Sequence, residues 1–336
     1  VNAASPLRRA LALLPRGTLP VGAGLAVLGL ASYVHLAVAG HALSTAGMSS
    51  LSVLWSIVFS VGLGLFFPIE QEVTRLVAAR RVAGDGAAPV LRGGALLAAG
   101  VLAGTGVLML AFSPVLADRL FLGERAMVAW LAAGFLGQAV ATPVRGVLAG
   151  SGRFAAYGTQ LGLDGALRIA LAAGLGLAGV HSPGGYAAIL AVAPVLATLA
   201  VAGPTRAALA AGSALPWPAF LAGAGPLTVS TLLSQVMVNV AVVDVRLLAP
   251  ADQALAGALL SALVLARVPL FVFGSVQASL LSGLSTAAAA GRIAEFRHLL
   301  RRVCAVVVAL AVAAGIPAVL LGPWLVRVLF DAPDVL

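Results

Sequence analysis

From Gly17 to Ile69 the chain runs without an Asp, Glu, Lys or Arg, and further apolar stretches follow, parted only by short charged or Pro/Gly-rich breaks. About 20 apolar residues in a helix cross the hydrocarbon core of a bilayer. The backbone must satisfy its own hydrogen bonds in that solvent, which leaves helices for segments of this length. The composition agrees: 9% of residues are charged, against about 25% in soluble domains, and mean hydropathy is +1.10. The sequence therefore predicts an all-α, polytopic membrane protein.

Spans are predicted near residues 19–39, 49–68, 93–112, 126–148, 156–180, 185–203, 220–243, 254–281 and 303–322, nine in all. The first is about 20 residues long and lacks a small-residue exit site, so it is expected as a span rather than a cleaved leader. The net charge of +9 comes with no lysine, and all 20 basic residues are arginines. With the N-terminus in the cytoplasm, only Arg119, Arg125, Arg246 and Arg327 fall on the far side, and Arg168 and Arg267 fall within spans. The other fourteen (20 less these six) collect on the cytoplasmic side, a strong positive-inside bias. No nucleic-acid partner is expected; membrane lipids are.

Two segments repeat. "SPVLADRLF", Ser113 to Phe121, matches "GPWLVRVLF", Gly322 to Phe330, and each copy follows a span preceded by an arginine-bearing cytoplasmic segment. Both copies run in the same direction, so the repeat is parallel and relates two bundles about an axis along the membrane normal. Six spans per repeat would make twelve, of which this chain is expected to carry about nine. The expected division is an N-terminal six-helix bundle at 1–203, a cytoplasmic linker at 204–219 and an incomplete C-terminal bundle at 220–336. The segment from Arg292 to Arg302 alternates arginines with Ile293, Phe296, Leu299 and Leu300 at helical spacing, an amphipathic basic helix suited to anionic head groups.

Charged side chains inside spans are the first candidates for function, because each costs about 2.5 to 3.5 kcal/mol at mid-bilayer on insertion scales. Arg267, in "LARVPLFVF", stands two residues before Pro269, whose ring bends a helix and widens an interior space. It is expected either to line a cavity or to pair with an acid such as Asp244. Asp164 and Arg168 stand four apart on one helix face, acid first, and either neutralise each other or open together onto a polar pathway. Arg145, near Pro143, reads as a snorkelling anchor or a gate. Glu70 and Glu72, just after Pro68, are expected to pair with Arg75 and its neighbours. The in-span amides Gln138, Gln235, Asn239 and Gln277 read as interhelical links or as ligands, with Gln235 and Asn239 on one face. Most tyrosines and tryptophans fall near span ends, where aromatic belts form.

Enzymatic signatures are missing. The sequence has no GxxxxGK[ST] loop and no HExxH pair, and the glycines of "VGAGLAVLG" lie in a span rather than after a strand. Cys304 is the single cysteine, is accompanied by no metal-ligand spacing and reads as a packing residue. No cofactor and no metal site is expected. GxxxG spacings such as Gly100–Gly104 and Gly146–Gly150 suit close helix packing.

The order of "GLGLFFPIEQEVTRLVAARRVAG", "RGVLAGSGRFAAYG", "LLSQVMVNV" and "LARVPLFVF" resembles the oligosaccharide-flippase branch of the multidrug/oligosaccharidyl-lipid/polysaccharide (MOP) exporter superfamily, the polysaccharide-biosynthesis membrane proteins. The resemblance implies two six-helix bundles around a central cavity and alternating access for a polyprenyl-pyrophosphate-linked sugar in a bacterial inner membrane. Guanidinium groups suit a pyrophosphate because they bind phosphate oxygens through paired hydrogen bonds. On this reading Arg267 and Arg168 contact the head group of a lipid-linked anionic glycan, with Asp164, Arg145, Gln235, Asn239 and Gln277 around them. The first span carries no acid, where the drug/cation antiporter branch often holds a carboxylate, which favours the glycan reading over that rival. A non-transporting scaffold among other glycan-assembly proteins is a further alternative.

Overall fold

The computed structural model describes residues 17–248 and 281–330, and every regular element among them is helical. In chain order these are α1 (Thr18–Ala42), α2 (Thr45–Ile57), α3 (Leu63–Val82), α4 (Ala88–Ala111), α5 (Ser113–Leu120), α6 (Arg125–Gly150), α7 (Phe154–Leu177), α8 (Pro183–Ala200), α9 (Ala202–Arg206), α10 (Trp217–Leu248) and α11 (Ile293–Phe330), with a further helical stretch at 281–289. Among the described residues five helical runs are long and apolar enough to cross a membrane: Leu19–Ala42, Ala46–Val82, Ala88–Ala111, Arg125–Gly150 and Pro183–Ala200. The fold is that of an all-α polytopic membrane protein, as the apolar runs require. The predicted span 254–281 lies outside the described residues except for its last position.

Local chemistry sets the helix ends. Ser44 caps α2 by accepting a hydrogen bond from the Gly47 N–H at 3.2 Å. α2 continues through a π turn, Val58–Gly62, directly into α3. The predicted second span ended at Pro68, but the helix takes Pro68 inside it and runs on to Val82. Proline costs one backbone bond and does not end this helix, because packing on both sides holds the next turns. α6 stops at Gly152, where φ is 72°, and the Arg153 N–H closes back on the Leu148 carbonyl at 2.8 Å. The two copies of the repeat differ locally: Ser113 to Leu120 is a separate short helix, whereas its counterpart lies within α11.

Between helices in lipid, packing rather than hydrophobic exclusion supplies the attraction, so small residues mark the seams. α1 lies along α7 over Gly24, Gly158 and Gly165; a Cβ at Gly158 would collide with the Pro20 carbonyl oxygen, and one at Gly165 would sit 2.8 Å from the Leu28 Cα. α6 is the central helix, packed on α3, α4 and α8. Gly146 and Gly150 bring it against the Glu70 and Thr74 carbonyls and the side chains of Val73 and Val77. Gly100 and Gly104 face open space instead. The apolar core gathers around Phe66, Phe121, Leu131, Phe135 and Tyr186, with the Phe66 and Phe135 rings edge to face at 5.9 Å.

α10 packs antiparallel along α3: Gly64 faces Leu232, and two turns on, Gly223 faces Glu72. The connection before α10 is clasped by the α3–α4 turn. The Arg80 guanidinium donates to the carbonyls of Gly86, Ser213 and Ala214 at 3.2, 2.8 and 3.3 Å. Asp85 accepts from the Ser213 N–H and hydroxyl, and the Ala88 N–H donates to the Ala210 carbonyl.

Candidate functional site

One face of α7 carries Tyr157, Gln160, Asp164 and Arg168 at spacings of three and four, and all four side chains are buried. A helix lying in lipid would present this stripe to hydrocarbon. Here it turns inward, and three neighbouring helices supply its partners.

Near the N-terminal end of α7, Glu70 of α3 accepts from Arg145 Nε of α6 at 2.8 Å and from the Tyr157 hydroxyl of α7 at 2.7 Å. The three helices are therefore joined at one carboxylate. The Thr74 hydroxyl bonds the Glu70 and Gly146 carbonyls at 2.8 and 3.3 Å, tying the backbones beneath it. Two residues along α3, on another face, Glu72 takes the Arg75 guanidinium in a two-pronged bond, with Nε to Oε2 at 2.8 Å. Glu72 is fully buried because Gly223 of α10 approaches it so closely that a Cβ there would strike the carboxylate.

Midway along α7, Arg168 donates through Nε and Nη2 to the two oxygens of Asp164, at 2.8 and 3.0 Å. Both side chains are 2% exposed. The guanidinium carbon lies 5.2 Å from the centre of the Phe59 ring, a cation–π contact. Between the two clusters the Gln160 amide donates to the Thr198 hydroxyl of α8 at 3.4 Å. Two buried atoms of the file, Gln160 Oε1 and Arg168 Nη1, have no hydrogen-bond partner.

Of the residues singled out from the sequence, the structure thus gathers Asp164, Arg168 and Arg145 in the first bundle, with neither guanidinium open to solvent. Arg145 does not snorkel to an interface: its side chain is buried and donates to the Glu70 carboxylate, which also takes the Tyr157 hydroxyl. Gln235 lies half-buried on α10 and is engaged. Asn239 falls on the same helix, though its side chain, like Asp244's, lies outside the description. Arg267 and Gln277 lie outside the described residues.

The sequence led to Arg75 and its neighbours as the partners of Glu70 and Glu72; Glu72 takes Arg75, while Glu70 reaches Arg145, 75 positions away. Tyr157 and Tyr186, near span ends and so read as belt residues, are buried inside the bundle. His35 was not singled out; it is fully buried, 5.2 Å from the Trp55 ring and 6.2 Å from that of Tyr186. The one signal for it was a histidine in an otherwise uncharged span. Cys304, expected to pack, is exposed on α11. Among the described residues no group of three His, Cys, Asp or Glu side chains is placed to hold a metal.

No protein-family model matches the chain. It is 30% identical over 335 residues to the uncharacterized protein Rv1510 of Mycobacterium tuberculosis, covering 94% of this chain and 72% of that one. It is 28% identical over 323 residues to the uncharacterized protein Rv3630 of the same organism, covering 93% and 72%. Among solved structures it resembles a MATE transporter in complex with MaD5, with a TM-score of 0.79 at 17% identity over 94% of this chain and 74% of that one. A multidrug resistance MATE family transporter of the MOP superfamily in an outward-facing conformation gives 0.76 at 16% identity, over 92% and 72%. A MOP superfamily transporter from Pyrococcus furiosus, described as having a binding pocket of reverse polarity, gives 0.75 at 15% identity, over 95% and 74%. At these identities the likeness is one of fold, the two-repeat helical bundle. The chain belongs to the same family as Rv1510 and has the fold of the MATE transporters of the MOP superfamily.

Proposed function

We propose that the chain is a transporter that carries a polyprenyl-pyrophosphate-linked oligosaccharide or polysaccharide precursor from the cytoplasmic to the outer leaflet of a bacterial inner membrane. Two bundles, within 1–203 and 220–336 and joined by the linker at 204–219, rock against each other with the N-terminus in the cytoplasm. One observation carries the choice of an anionic cargo: among the described residues, each buried carboxylate is held by an arginine, Glu70 by Arg145, Glu72 by Arg75 and Asp164 by Arg168. A cation antiporter needs a carboxylate free to trade protons or sodium for cargo. α1 contains no acid at all.

Arg145 and Arg168, spent on those carboxylates, hold the first bundle together. The head group is met by Arg267, supported by Gln277, Asn239 and Gln235. Arg267→Ala should insert normally and lose translocation of a labelled lipid-pyrophosphoryl sugar in reconstituted vesicles; undiminished flipping by that variant overturns the assignment. A drug/cation antiporter of the same fold is the second reading, favoured by the multidrug transporters among the structural neighbours. It requires Asp164 to leave Arg168 during the cycle, so Asp164→Asn would abolish cation efflux.

A further inference from the structure

The segment that leads into α11 carries Arg292, Arg297, Arg301 and Arg302 against a single acid, Glu295. A tight turn fixes where the helix starts: the helical stretch at 281–289 ends at Gly291, whose φ is 66°, and the Arg292 N–H closes back on the Ala287 carbonyl at 2.9 Å. The two helices then lie side by side, with Leu299 packed over Gly283, where a Cβ would stand 3.6 Å from the Leu299 Cδ1. Phe296 and Val303, which share the face of Leu299, are half-buried with it.

In the sequence Ile293 and Leu300 belong to the same apolar stripe as those three residues; in the structure the stripe divides. Ile293 and Leu300, seven residues apart on one edge of the helix, stay 55% and 44% exposed. Arg297 stands between them, four residues after the one and three before the other, and Arg301 follows Arg297 by one turn. Both arginines are exposed, and among the described residues neither has an acidic partner; Glu295 lies on the opposite face and takes Arg292 at 2.8 Å. Like charges four residues apart destabilise a helix. The two apolar side chains beside them gain nothing from water. A surface that is anionic outside and apolar beneath relieves both.

We propose that the edge formed by Ile293, Arg297, Leu300 and Arg301 binds the head group of an anionic phospholipid, with the two guanidiniums on the phosphodiester and the two apolar side chains in the upper acyl layer. Charge complementarity chooses the occupant: the edge carries two arginines and no acid, and guanidinium groups hold phosphate oxygens through paired N–H donors. Four residues of helix rise about 6 Å, so both side chains reach one phosphate. Depth agrees, because the span predicted at 303–322 continues the same helix and sets Arg297 and Arg301 where hydrocarbon meets head groups. The end of the helix takes no part, since Arg297 is more than a turn inside it. The site is independent of the proposed cargo.

Cys304, the single cysteine, is exposed one turn after Leu300 on this edge and takes an environment-sensitive fluorophore. The purified, labelled chain in neutral detergent is titrated with phosphatidylglycerol, with phosphatidylcholine and with inorganic phosphate. Phosphatidylglycerol should shift the emission at lower lipid content than phosphatidylcholine, inorganic phosphate should not shift it, and added salt should weaken the preference. Arg297→Gln and Arg301→Gln should each weaken the phosphatidylglycerol response about fivefold, the equivalent of about 1 kcal/mol per basic side chain near an anionic surface. Arg292→Gln removes the same charge away from the edge and should leave the response near that of the wild type. Equal responses to the two lipids overturn the proposal, as does an equal response to inorganic phosphate. A loss in Arg292→Gln as large as that in Arg297→Gln overturns it too, because net charge alone would then explain the binding.

Discussion

Glu70, Arg145 and Tyr157 satisfy one another across three helices, and removing one partner strands the others. Arg145→Ala would leave Glu70 charged beside only Tyr157, a loss of about 3 to 5 kcal/mol. Adding Glu70→Leu should recover most of it, which thermal melts of the single and double variants can measure. The Asp164–Arg168 pair was legible in the sequence because four residues on a helix is one turn. The Glu70–Arg145 pair was not, because no local periodicity links positions 75 apart. Outside the membrane, hydrogen bonds from the Ser213 hydroxyl and N–H, with the Gly86 N–H and Arg80 beside them, hold the Asp85 carboxyl down at about 2. Since that value is below the ordinary carboxylate value near 4, the clasp is intact above it and is lost as pH falls towards 2. Pepsin cleavage within 207–216 should rise across that interval, and Asp85→Asn should loosen the same segment at neutral pH.

Helices pair here where glycines let backbones approach, and not every glycine does so. Gly158→Ala drives a methyl group into the Pro20 carbonyl and should cost about 1 to 3 kcal/mol by forcing α1 off α7. Gly100→Ala meets open space on α4 and should be neutral or slightly stabilising. The melting temperatures of the two variants in one detergent separate a seam glycine from a lipid-facing one. The sequence could name Gly146 and Gly150 as a close-packing pair, but equally named Gly100 and Gly104; spacing shows which residues share a face and not what that face meets. Span positions were legible for the same reason that partners were not. Hydropathy is a property of one segment, whereas the continuation of α3 past Pro68 depends on α6 and α10 packed against it.

For the whole molecule, the parallel repeat and the apolar runs were enough to predict the two-bundle fold, since the bilayer admits few alternatives. Cargo was less legible, because it depends on which charges remain unpaired after folding. The buried carboxylates of the first bundle are spoken for, and the positive charge that remains is all arginine. On the function proposed above, this arrangement suits a phosphorylated lipid rather than a cationic drug. The most direct measurement reconstitutes the chain in vesicles and follows a labelled lipid-pyrophosphoryl sugar beside a cationic dye. Flipping of the sugar lipid with no dye efflux is the predicted result; efflux of the dye with no movement of the lipid would contradict it.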